Sequence, residues 1–425
     1  LSGVAQAQTL PAVPVSPAPV MNYEYDANGN PTKAVQAPGV VGLGLTTSTT
    51  YDTLNRAKST TNAKAGVTQF GYTGRDELTQ VTDPRSLVTQ YPRNGLGDAT
   101  SLVSPDTGTA SHTFDAAGNL KTRTDSRGVL GTYSYDALNR LTSVVYSKSG
   151  STSRTFTYNY DQTGAGFANG IGRLTSTATP EGTSQYMYDP EGRLTSARQV
   201  VNAATGANTA AITRTVSYGY DASGRLSTLT YPSGRVLTQT YLDGQVSALS
   251  LKANATAAAV NVITAVQWEP FGAVKSWLWQ QGAGTQLHER VRDSYGRLVR
   301  FRLGATIRDL TYDAADRITK YTHYNASTAA AIPAQDQTFT YDELGRLTGV
   351  SFGSSSWTIG FDANGNRTSV TLNGTASSYT TPATSNRLTA TTNPTRGFTF
   401  DAAGNTLTRT TTNAFTATYS LEGRL

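Results

Sequence analysis

A chain of 425 residues is longer than one ordinary hydrophobic core serves. With 37% hydrophobic and 15% charged residues it is apolar-poor, yet it lacks the high net charge of a disordered chain, so a repetitive architecture is expected. The net charge of +6 is carried by singly spaced Arg rather than a basic run, which argues against a nucleic-acid partner, and the absence of Cys excludes disulfides, thiolate metal sites and a Cys nucleophile.

Taken from the start, Ala5-Gln6-Ala7 fits the small-x-small pattern that ends a secretory signal peptide, with the basic and apolar parts trimmed upstream. Pro11, Pro14, Pro17 and Pro19 then form a stiff extended spacer, so residues 1–20 read as a signal-peptide remnant and spacer. Nothing later is apolar and long enough to span a bilayer.

From residue 21 to 425 one phrase recurs, Tyr-Asp-x-x-Gly-Arg/Asn-Leu-Thr. It is read at Tyr25, Asp26 and Gly29; at Tyr51 and Asp52; at Phe114, Asp115 and Gly118; and at Tyr135, Asp136 and Asn139. Further copies stand at Tyr188, Asp189 and Gly192; at Tyr220, Asp221 and Gly224; at Tyr312; and at Tyr341, Asp342 and Gly345. The last clear copies carry Phe361, Asp362 and Gly365, then Phe400, Asp401 and Gly404, and degenerate ones fill the gaps. Each reads as a β-hairpin. Aromatics two apart, such as Tyr133 and Tyr135, share a strand face. The Asp accepts hydrogen bonds from turn N–H groups, and Gly or Asn takes the positive φ that closes the turn. A lone hairpin is marginal in water, so neighbouring units must pair edge to edge, giving an all-β array of antiparallel hairpins in a long coiled sheet. Gly, Tyr, Thr and Val abundance agrees, and long helices are not expected.

The phrases YDALNRLTSV, YDPEGRLTS and YDELGRLTGV resemble those of the Rhs/YD-repeat family, which includes bacterial Rhs polymorphic toxins, the B and C components of insecticidal toxin complexes and the teneurin ectodomains. The resemblance implies a sheet spiralling into a hollow shell or part of one, which in toxin members encloses a C-terminal cargo and in teneurins is an adhesion scaffold. Toxin-bearing members place paired Asp-Pro-x-Gly motifs after the repeats. Here the one match, Asp189-Pro190-Glu191-Gly192, lies inside an ordinary repeat, so neither self-cleavage nor a cargo boundary is expected within this sequence.

A search for chemistry finds no constellation. Turn carboxylates spaced by whole hairpins do not converge as acid/base catalysis requires, and Arg140, Arg193, Arg225 and Arg346 are expected to pair with neighbouring carboxylates or carbonyls. His112, His288 and His323 lack partners at metal-ligand spacing, so no metal, cofactor or enzymatic activity is expected. The repeat fades over residues 253–286, where Trp268, Trp277 and Trp279 suggest a glycan platform. The preferred reading makes Trp268-Glu269-Pro270-Phe271-Gly272 a degenerate repeat with Trp in place of Tyr. The function expected is a secreted or cell-surface bacterial shell of a polymorphic-toxin system. Its partners would be a C-terminal toxin cargo or a second shell component. The alternative is an adhesion module that binds a cell-surface glycan or protein.

Overall fold

The computed structural model describes residues 9–203, 210–282, 284–411 and 413–424, so Ala5-Gln6-Ala7 lies outside the described residues. Among the described residues the elements are 35 β-strands and one short 3-10 helix, Pro333–Gln335, and no helix is long and apolar enough to cross a membrane.

Each motif makes the same hairpin. In residues 136–140 the Asn139 N–H donates to the Asp136 carbonyl and the Asp136 N–H to the Arg140 carbonyl, both at 3.0 Å, with φ +59° at Asn139. This is a type I turn closed by a left-handed residue that forms a bulge. The bulge shifts the register at the aromatic residue, so Tyr135 faces Leu141. Tyr188 faces Leu194, Tyr220 Leu226 and Tyr341 Leu347 in the same way. The Gly positions carry the matching backbone: φ is +88° at Gly192, +81° at Gly224 and +72° at Gly345. Residues 269–273 close an identical turn, with Gly272 at φ +88°, so the Trp-rich segment continues the array through strands Val260–Trp268 and Val274–Gln281.

The chain forms two compact units, one holding residues 1–118, 123–129 and 291–425, the other residues 119–122 and 130–290. In the second unit antiparallel pairing runs from each strand to the next, from Leu130–Tyr135 through Gly284–Arg292. Because strands alternate in direction, the motif turns lie along one edge of this ladder and the return connections along the opposite edge.

In the first unit an early and a late stretch lie side by side. Gln36 donates to the Ala315 carbonyl at 2.7 Å, and Ala37 is buried with Ala314 and Ala315. Lys64 pairs with Glu343 at 3.0 Å. Further along, Arg85 donates to the carbonyls of Pro382 and Ser385, the Asn386 N–H to Asp106, and Arg127 to the Leu421 carbonyl. The partners advance together, 279 residues apart at Gln36 and 294 at Arg127. Return connections of the early stretch thus meet motif turns of the late one. The spacer joins this unit too, as Ser16 Oγ accepts the Tyr312 N–H at 2.9 Å. The densest packing is on strands Leu298–Leu303, Thr306–Tyr312 and Ile318–Asn325, where Val299, Leu310 and Asp309 are buried.

Candidate functional site

The motif side chains form a relay from each repeat to the next. Asp136 Oδ1 accepts the N–H groups of Leu138 and Arg140 at 2.9 Å, and its Oδ2 accepts Arg140 Nε at 2.7 Å. The planar Arg140 guanidinium, fixed on one side, lies 4.4 Å from the centre of the Tyr160 ring in the following repeat. The Tyr160 hydroxyl donates back to the Leu141 carbonyl at 3.1 Å. The same closed circuit joins Asp189 and Arg193 to Tyr220, which donates to the Leu194 carbonyl, and Asp221 and Arg225 to Tyr241, which donates to the Leu226 carbonyl. It recurs in the first unit from Arg297 to Tyr312 and from Arg317 to Tyr341. Where Phe361 and Phe400 replace Tyr, the guanidiniums of Arg346 and Arg387 still face the rings. Each junction with a Tyr combines a cation–ring contact with a hydrogen bond. The aromatic face is therefore built of alternating rings and guanidiniums.

The electrostatics follow. The Arg140 N–H, and then its side chain, hold the Asp136 carboxyl below the usual carboxylate range, and the Arg225 side chain does the same for Asp221. Asp26, with Asn30 in place of Arg, is lowered by the Asn30 side-chain amide. Burial pushes the Tyr220 phenol up. The polar groups of the motif are committed to one another, and Asp189-Pro190-Glu191-Gly192 is one more such turn, with the Arg193 N–H at 2.8 Å and Nε at 2.6 Å from the carboxylate.

The three tryptophans of the fading segment are divided among different tasks. Trp268 Nε1 donates to the Val246 carbonyl at 2.9 Å, the position a motif Tyr hydroxyl takes elsewhere, so it acts as a repeat residue. Trp277 is stacked on His288 with ring centres 4.0 Å apart and is faced by Arg290. Trp279, two residues on along the same strand, is 39% exposed. Sequence reading passed over Trp357, which is 49% exposed and lines a groove of 480 Å³ with Phe352, Leu372, Gln337 and Asn373. Nothing in the local pattern distinguishes it from a strand aromatic, because the groove arises from the cross-strand register of adjacent hairpins.

His323 is another residue whose setting the sequence hides. It is buried, accepts Arg308 Nε at 2.9 Å on Nε2, and turns Nδ1 toward Asp336. Burial first, and the Arg308 charge second, push its pKa down, so the ring stays neutral. Neighbouring Asp309, also buried, is held bidentately by Arg300. Among the described residues no three His, Cys, Asp or Glu side chains gather as metal ligands.

Comparison with known proteins agrees with this construction. The RHS Repeat family matches residues 114–152, 169–207 and 204–236. No curated protein matches. Among solved structures, TcdB2-TccC3 superposes with a TM-score of 0.68 at 15% identity, covering 91% of this chain and 27% of that one. The Photorhabdus luminescens Tc holotoxin pore superposes with a TM-score of 0.71 at 15% identity, covering 92% of this chain and 24% of that one. The chain thus spans about a quarter of the length of these structures, and the likeness is one of fold. With the repeat matched over these three stretches, the motif relay carried through both units and the fold shared with these structures, the chain carries RHS repeats in an array whose fold is similar to theirs.

Proposed function

We propose that this chain is a wall segment of an exported bacterial Rhs/YD shell that encloses or presents a cargo and performs no turnover of its own. The observation that carries this reading is the relay, which spends the reactive side chains of the repeats on joining one hairpin to the next. Each motif carboxylate with a displaced pKa moves down, whereas a general acid needs one raised toward neutrality. Side-by-side seating of stretches about 280 residues apart adds the second dimension that a wall requires.

The test is protection of cargo. An unstructured reporter appended after Leu425 is expected to resist limited proteolysis relative to the same reporter on a compact carrier. Equal digestion of the two ends the enclosure reading. The exposed rings of Trp279 and Trp357 support adhesion as the second reading. Specific signal on a glycan array, lost on Trp279→Ala or Trp357→Ala, together with an unprotected reporter, would favour it.

A further inference from the structure

We infer that the opposite edge around residues 231–237 is a docking surface for the motif turns of a second copy of this chain. The inference deepens the wall reading and rests on it. The first unit shows the mode of contact. There the return turns at residues 83–87 and 125–129, with Asp83 and Asp125 in the first position, are half-buried or buried against motif turns of the later stretch except at Ser86 and Gly128. Arg85 and Arg127 reach across to backbone carbonyls there. The tip of one received turn, Ala315, is 2% exposed and is packed with Ala37.

Residues 231–235 make the same return turn in the second unit, with the Tyr231 N–H on the Arg235 carbonyl at 2.8 Å and the Gly234 N–H on the Tyr231 carbonyl at 2.9 Å. Here nothing covers the turn: Tyr231, Pro232, Ser233 and Arg235 are exposed. Its charge is also unbalanced. In motif turns an Arg at the fifth position is held by an Asp at the first, as Arg225 is by Asp221. In this turn Tyr231 occupies the first position, so Arg235 has lost that carboxylate. Among the described residues neither Arg235 nor nearby Arg214 pairs with any carboxylate. The two arginines border a hollow of 620 Å³ floored by Leu237, Leu251 and Val262.

An occupant must bring carbonyls or a carboxylate for the two guanidiniums and an apolar tip for the floor. Motif turns of this chain have that composition. The third residue of the turn is Leu54 at 58% exposed, Leu96 at 86% and Leu138 at 71%, and motif-turn backbone carbonyls are the groups that Arg85 and Arg127 hold in the first unit. In each unit, therefore, motif turns stand open with apolar tips, and in the second unit the opposite edge stands open with a cationic, apolar-floored hollow. The two surfaces differ, so the contact is head-to-tail and does not close on itself as a two-fold dimer would.

Sedimentation velocity on the full chain tests this. The expected result is growth in size with concentration, weakened about tenfold or more by Arg214→Glu with Arg235→Glu, and likewise by Leu54→Glu, Leu96→Glu and Leu138→Glu together, with melting curves confirming that both variants fold. Mixing the two blocked variants leaves one competent edge of each kind, so a 1:1 pair and nothing larger is expected. A wild-type chain that stays monomeric, variants that assemble as the wild type does, or blocked variants that fail to pair would overturn the inference. Reporter protection measured at dilutions where the chain is monomeric fails or succeeds independently, so docking and wall readings are separable.

Discussion

Gly118 and Gly404 hold the same place in the motif turn, with φ of +83° and +87°, yet their surroundings differ. A Cβ at position 118 meets open space, whereas one at position 404 comes within 2.7 Å of the Asp106 carbonyl. Gly118→Ala should therefore cost only the backbone strain of a left-handed residue, about 1–2 kcal/mol, and Gly404→Ala measurably more, because backbone from the adjoining stretch must move. Paired urea unfolding of the two variants checks the order. Tyr220→Phe removes the hydroxyl donated to the Leu194 carbonyl but keeps the ring under Arg193, and should cost about 1 kcal/mol. At Asp189 every oxygen contact is structural, so the purified chain should stay intact on long incubation, as mass spectrometry will show; an Asp189-dependent cut would contradict this.

Among the strands, Ile318–Asn325 carries the clearest titration. His323 has a folded pKa pushed below its ordinary value near 6.5, so the unfolded chain takes up the proton first. The stabilisation is complete above that ordinary value and is lost as pH falls through 6.5 toward the depressed folded pKa. Melting temperature should drop across this window in the wild type and much less in His323→Gln. The motif carboxylates titrate separately. Those of Asp136 and Asp221 are depressed from 3.8, so their contribution is complete above that value and fades below it. Two acid transitions are expected, and only the upper one should respond to the His323 substitution.

The whole molecule gains its lateral contacts from residues remote in sequence. Arg85 holds carbonyls of Pro382 and Ser385, so Arg85→Ala should raise amide hydrogen exchange both around residues 83–87 and around residues 382–387, leaving the turn at residues 221–225 unchanged. Exchange that rises only beside the substitution would deny the coupling between stretches. Stability in such an array is a sum of hairpin and junction terms, so several relay substitutions should add nearly independently when they fall in repeats that do not touch.

Hairpins, turn positions and the structural use of the motif Asp and Arg were legible from residue order because each depends on neighbours within one repeat: Asp136 caps its own turn, and Asn139 closes it. The recasting of Trp268 as a repeat residue was legible for the same reason, since its turn keeps Gly272. The relay was half visible. Arg and Tyr recur in most phrases, but their contact across repeats depends on the register that each bulge imposes. Seating Arg85 on residue 385, burying His323 and opening the groove at Trp357 were not legible, because these depend on which distant stretches and cross-strand neighbours the twisted ladder brings together. A local period specifies the unit, while the accumulated twist of many strands decides which units meet.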